Sequence, residues 1–325
     1  ASTDDGGEVK SNSADGEKKK VQKDEVRFGK HLASSDKRVR DKTLSSLREW
    51  LHKRSAGGVL SDIDLLKIWR GLWYCMFMCD KAHIQLDLAN NLAGLLHLFR
   101  EDKVEGVRFL QAFCITMQRD WGVIDYHRMD KFLSLVRLFF RETIRFCISS
   151  DQDRQGQRKK KRRKKPSRGK ARVFALCACF FGVWLWDREI LRSVISVLEE
   201  EVIACTGPSG LRLFLAEVWV EELCRVGGDN ITTEVFLDAI APWLRVAASP
   251  ATNDVLFGRT MSRVLEEVLK YFPTCAGGGE ESEMEVDKEG GGEDTSHPVF
   301  KVVDLSALQA CVFEVAAAEQ VRQWR

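Results

Sequence analysis

Arg158, Lys159, Lys160, Lys161, Arg162, Arg163, Lys164 and Lys165 are eight consecutive cations, followed closely by Arg168, Lys170 and Arg172. Side chains of one sign at this density cannot pack together; they stay in water or meet a polyanion. Two chemistries suit them: neutralising phosphates, and serving as a nuclear or nucleolar import signal. No aromatic residue interleaves between 150 and 172. Bases would have nothing to stack on, so backbone contact without sequence readout is expected. Eight uninterrupted cations argue against an idle solvated linker, the bland alternative.

Reactive constellations are missing elsewhere. The chain has no G-x-x-x-x-G-K-[ST] phosphate cradle and no G-x-S-x-G elbow. His31, His52, His83, His97, His127 and His297 form no H-E-x-x-H or other short ligand spacing. Of the ten cysteines, Cys75/Cys79 and Cys177/Cys179 are the close pairs, and both lie in apolar runs without the flanking turns of a zinc knuckle. They read as buried small hydrophobes. Glu199/Glu200/Glu201 and Glu221/Glu222 read as solvated faces of amphipathic helices rather than a general acid and base. Asp62, Asp64 and Asp80 mark helix starts, where carboxylates complement the dipole. No catalytic residue, cofactor or metal is expected. A nuclease assembled from scattered carboxylates remains the enzyme alternative, and it predicts turnover abolished by chelators.

The elements that must position these residues are helices. The central one spans Asp62 to Lys81, opening on a Ser61-x-x-Asp64 capping box. Trp69 and Trp73, four apart, share one face, and Leu65, Leu66, Leu72, Met76 and Phe77 make it apolar almost all round. A helix of this kind is buried between neighbours. Before it, a helix starts after Ser34-Ser35 with a stripe of Val39, Leu44, Leu47 and Leu51. After it come helices near 81–99 (Leu88, Leu92, Leu95), 104–119 (Leu110, Phe113, Met117) and 125–149 (Phe132, Val136, Phe139, Phe146), all with periods of three and four.

Helical periodicity resumes at Trp186 with Leu191, Val194 and Leu198. Ser209 caps the next helix, which stops at Gly227-Gly228; Thr232 or Thr233 caps one bent by Pro242; another runs from Asn253 to Phe272. The last, from Asp304 to about Gln323, carries Leu305, Leu308, Val312 and Val315. About ten consecutive amphipathic helices with short loops predict an all-α, HEAT/armadillo-like α-solenoid without a strict repeat.

Six segments follow: a disordered tail (1–24), an N-terminal helical half (25–149), a basic linker (150–170), a C-terminal helical half (171–274), an acidic Gly/Glu-rich disordered loop (275–297) and a final helix (298–325). The net charge of +2 averages over these basic and acidic stretches and says nothing of partners. The polar first twenty residues lack the apolar core of a signal peptide, and Val173–Trp186 is too short to span a bilayer. A soluble chain with reduced thiols is therefore expected.

Several stretches together carry a resemblance: Phe28–Ala33, Arg40–Leu44, Leu47-Arg48 with Trp50-Leu51, Leu65–Lys81, Phe109–Phe113, Met117–Trp121, Ile124-Asp125, Arg128–Phe132 and, more weakly, Gly210–Leu223. In these the chain resembles the eukaryotic nucleolar ribosomal RNA processing protein 1 family, over most of 26–149 and more loosely 186–272. The resemblance implies a HEAT-like, non-catalytic nucleolar assembly factor of large (60S) ribosomal subunit precursors. Its implied partners are other assembly factors and precursor rRNA, with no membrane and no small-molecule substrate. The basic run between the helical halves and the acidic insertion before the last helix depart from a plain helical array.

Within the family motifs, Lys30, Arg70, Lys81, Arg119 and Asp120 are the candidates for docking or for polar contacts between helices. Trp69, Trp73 and Trp121 are assigned to the core. The competing class is an α-solenoid adaptor for nuclear transport or phosphatase regulation, which predicts salt-insensitive protein partners and no affinity for RNA.

Overall fold

The computed structural model describes residues 28–55, 60–149, 185–205, 207, 209–270 and 302–318. The polar tail 1–24, the whole basic run 158–165 with Arg168, Lys170 and Arg172, Cys177/Cys179 and the acidic stretch 275–297 lie outside the described residues. Among the described residues the fold is all-helical, except that Ile148–Ser149 (β1) pairs antiparallel with Leu185–Trp186 (β2), Ile148 opposite Trp186. The chain divides into two compact units: Ala1–Phe146 with Ser196–Leu211, and Cys147–Ile195 with Arg212–Arg325.

The first unit is built around α2 (Asp62–Phe77). Its capping box forms: Ser61 Oγ accepts from the Asp64 amide at 3.2 Å, and Asp64 Oδ2 accepts from the Ser61 amide at 3.1 Å. Each bond satisfies a group that the helix start leaves open. Around α2 lie α1 (Lys37–Ser55), α3 (Ala82–Ala93), α4 (Lys103–Asp120) and α5 (Tyr126–Phe146). The helix expected over 81–99 tightens after Ala93 into a 3₁₀ segment, Gly94–Phe99. Asp102 caps α4 by accepting from the Glu105 amide at 3.2 Å.

Trp69 is fully buried, its ring 4.8–5.1 Å from those of Phe109, Phe113 and Phe139. Its indole Nε1 donates to the Phe109 carbonyl at 3.0 Å, so the polar end of the ring is satisfied. Trp73 stacks on Phe77 and tilts against Phe132. Burying each such phenyl ring contributes about 1.5–3 kcal/mol. Gly106 allows α4 to come up against Phe146 of α5, because a Cβ there would lie 2.4 Å from Phe146 Cζ. Trp121, also buried, covers Gly210 in the same way.

One expectation for α1 is corrected. Val39 is 36% exposed, and the buried stripe runs Arg40, Thr43, Leu47 and Leu51. Arg40 turns inward because its guanidinium donates to the Ser34 and Ser35 carbonyls at 2.8 and 2.9 Å, which repays its desolvation.

Helix α6 (Arg188–Leu198) begins in the second unit and counts with the first from Ser196, as does the π-helical turn Glu199–Ile203 that follows it. Helix α7 (Ser209–Gly227) ends where Gly228 takes φ 51°, the left-handed conformation that suits glycine past a helix end. Glu222, expected on a solvated face, is fully buried: Val218, Trp219, Val220, Leu223, Cys224 and Val226 leave α7 only a narrow polar strip. Helix α8 (Thr233–Ala248) holds Pro242 within it, and Thr232 takes the cap position without a side-chain bond to the helix amides.

The helix expected over 253–272 is interrupted. α9 (Asp254–Thr260), capped by Asn253, passes through a π turn, Met261–Leu265, into α10 (Glu266–Lys270). The buried residues Leu256, Thr260, Val264 and Val268 are spaced strictly by four. An α-helix with 3.6 residues per turn lets such a stripe drift, and the wider π turn brings it back. Helix α11 (Leu305–Ala318) packs on α8, and Thr233 Oγ1 accepts from the Asp304 amide at 3.0 Å. Of its expected apolar stripe, Leu308 is half-buried while Leu305 and Val312 are not covered, and Ala307 and Cys311 complete the half-buried face.

Candidate functional site

Three of the five candidate docking residues come together where α2 packs beside α4. Arg119 grips Asp120 with both arms of its guanidinium, Nε to Oδ1 at 3.0 Å and Nη2 to Oδ2 at 2.9 Å. Arg70 of α2 reaches the same Oδ2 at 3.8 Å and lies over the Tyr74 ring at 5.7 Å. The Asp120 side chain is only 14% exposed while both arginines are about half exposed, so the carboxylate is sheathed and the cations face water. The Asp120 hydrogen bond raises the Arg119 pKa against the opposing effect of burial. One carboxylate shared between two guanidiniums leaves net positive charge, framed by the part-exposed Tyr74 ring. Arginine and tyrosine are the residue types that anchor protein interfaces.

Lys30 and Lys81 sit elsewhere in the first unit. Lys30 is exposed on the short helical turn 28–32, whose Gly29 lies against Gly71, the neighbour of Arg70. Lys81 holds the N-cap of α3 with its side chain in solvent and no cap bond from it. The remaining candidates are the cations of the basic run: Arg158, Lys159, Lys160, Lys161, Arg162, Arg163, Lys164 and Lys165, with Arg168, Lys170 and Arg172. All of them lie outside the described residues.

Lys131 is the residue that sequence reasoning missed. Its side chain is 2% exposed, and its ammonium bonds the carbonyls of Phe77, the last residue of α2, and of Cys79 just past it. Arg128, one turn earlier, stacks over the Phe77 ring at 4.4 Å. The available signal was a lysine beside Phe132 on the apolar side of α5, where a cation needs acceptors to be buried.

The remaining titratable groups point to packing. Burial pushes the Cys75 and Cys224 thiols up to about 12 and raises Cys79 and Cys114 as well, so these thiols stay protonated and poor nucleophiles. Among the described residues no group of His, Cys, Asp and Glu could hold a metal ion, and no helix is long and apolar enough to cross a membrane. His97 Nε2 and Glu142 Oε2 lie 2.6 Å apart. Burial pushes the Glu142 carboxyl up, but the His97 hydrogen bond and the Arg145 guanidinium outweigh it and hold it below its ordinary value.

A family profile described as "Nucleolar protein, Nop52" matches residues 23–299. The chain is 30% identical over 259 residues to Ribosomal RNA processing protein 1 homolog B of Homo sapiens, covering 78% of this chain and 29% of that protein. It is 29% identical over 255 residues to homolog A of Homo sapiens, covering 77% and 47% respectively. To the Drosophila melanogaster Ribosomal RNA processing protein 1 homolog it is 34% identical over 247 residues, covering 75% and 31%. The chain thus spans less than half the length of each of these relatives.

Proposed function

The chain belongs to the Nop52 family of nucleolar proteins, and on that premise we propose that it acts in ribosome biogenesis as a non-catalytic assembly factor of the large-subunit precursor, supporting rRNA processing. In this reading the helices form a HEAT-like α-solenoid that scaffolds other assembly factors. The cluster of Arg70, Arg119 and Asp120 is one docking point, and Arg158 to Arg172 holds precursor rRNA by its phosphates. The observation that carries the reading is the family match over 23–299, a span in which Trp69, Phe109, Phe113, Met117 and Phe132 form the packed centre of the first unit. Protonated, buried thiols and a sheathed Asp120 also suit a surface that binds rather than reacts.

The test is affinity purification of the tagged protein from nuclear extract, with and without ribonuclease. Recovery of large-subunit precursors is expected, with partners that survive ribonuclease held by the helices. Transport or phosphatase subunits without ribosomal material would overturn the proposal.

A further inference from the structure

We propose that the outward face of α1 is a second phosphate-binding track, which holds RNA by its backbone independently of the basic run at 158–172. This rests on the reading that the protein contacts precursor rRNA, and it places part of that contact on a folded helix.

Helix α1 carries seven Lys or Arg residues against two acids, Asp41 and Glu49. Three of the cations have folding roles. Arg40 is buried on the Ser34 and Ser35 carbonyls, Lys37 pairs with Asp41, and Arg54 lies over the Trp50 ring at 5.7 Å. The others, Arg38, Lys42, Arg48 and Lys53, are exposed, and none makes an ion pair with a described residue.

Their placement is directional. The buried stripe Arg40, Thr43, Leu47 and Leu51 fixes which way α1 faces. At about 100° per residue, Arg38, Lys42 and Lys53 fall on the ridge opposite that stripe, within about 60° of one another. From Arg38 to Lys53 the ridge is about 22 Å long at 1.5 Å per residue. Arg38 and Lys42, four residues apart, are like charges at the spacing where opposite charges stabilise a helix, so they weaken α1 slightly. A solvated face gains nothing from that arrangement, whereas a polyanion along the ridge offsets the repulsion. Glu49 is the sole carboxylate on the ridge, and no Phe, Tyr or Trp projects from it for base stacking. The fitting ligand is a phosphodiester backbone, read without sequence.

The experiment measures binding of labelled single-stranded RNA of mixed sequence to the full chain as salt is raised from about 50 to about 200 mM. One variant carries Arg38→Gln, Lys42→Gln and Lys53→Gln, a second replaces Arg158 to Lys165 by Gln, and a third combines both. Arg225→Gln with Arg259→Gln and Arg263→Gln, on the second unit, also removes three charges and controls for net charge, and circular dichroism verifies helix content. The α1 substitutions should lower the magnitude of the log–log salt slope by about 2, in the parent and in the arm-neutralised background alike. The charge control should change it little. An α1 variant with an unchanged slope, or one matched by the control, overturns the track while leaving the basic run as the RNA contact. If the α1 substitutions leave the slope alone but release a ribonuclease-resistant protein, the face docks an acidic protein and the RNA assignment falls. No RNA binding by the unsubstituted chain overturns the rRNA-contact reading itself.

Discussion

Lys131 Nζ donates to the Cys79 carbonyl at 2.7 Å and to the Phe77 carbonyl at the same distance. The last carbonyls of a helix have no partner within it. Here an ammonium from α5 meets the Phe77 carbonyl at the end of α2, at the negative pole of its dipole, and shares the Cys79 carbonyl just past it with Gln85 Nε2, which donates at 2.9 Å. Burial lowers the Lys131 pKa, and Asp80, 4.0 Å away and exposed, opposes that only in part.

Lys131→Met keeps the length of the stem but removes the donor, leaving the Phe77 carbonyl without it while the Cys79 carbonyl keeps Gln85. A loss of about 2 kcal/mol in urea unfolding is expected, within the usual cost of a buried unmet group. A loss below about 0.5 kcal/mol would show that the helix end finds other partners.

Gly106→Ala places a methyl group against the Phe146 ring and should cost about 1–3 kcal/mol by overpacking. Adding Phe146→Leu should recover part of that loss in a double-mutant cycle. Strict additivity of the two would contradict the contact.

Glu142 gives the first unit an acid-sensitive joint. Its folded carboxyl titrates below the ordinary 4.5, so its stabilisation is complete above 4.5 and fades as pH falls through the folded value. Glu142→Gln should therefore flatten the stability profile in that acidic window. Thermal melts of both proteins across pH 4.5 provide the comparison.

Arg70→Glu tests the docking cluster. The pair with Asp120 is long and Arg70 is half exposed, so stability should change by under about 1 kcal/mol. Ribonuclease-resistant partners should nevertheless fall away in affinity purification. Full retention of those partners would leave the cluster a purely intramolecular brace.

What the sequence revealed was local. The capping box at Ser61 and Asp64 and the shared face of Trp69 and Trp73 depend on spacings within one helix, and the structure places both as those spacings require. Arg40, Glu222 and Lys131 were misjudged or missed for the opposite reason. Charge suggests solvent, and only the arrival of the Ser34–Ser35 turn, the neighbours of α7 or the end of α2 makes an interior position tolerable. The π turn at Met261–Leu265 shows in the strict four-residue spacing of Leu256, Thr260, Val264 and Val268, once that spacing is compared with 3.6. At the candidate site, Arg119 and Asp120 are neighbours in the chain, but Arg70 joins them through helix packing alone.

The short stretch Ser196–Leu211 counts with the first unit although the chain on either side of it counts with the second. Gln111 Nε2 donates to Glu201 at 2.8 Å, and Gly210 lies beneath Trp121. A protease that cuts once between 150 and 184 would therefore leave two pieces that still co-elute, the downstream one threaded into the upstream one. A recombinant fragment ending near 149 would lack that thread, exposing the surface around Gln111 and Trp121. For expression, the natural place to divide this chain is not its most conspicuous one.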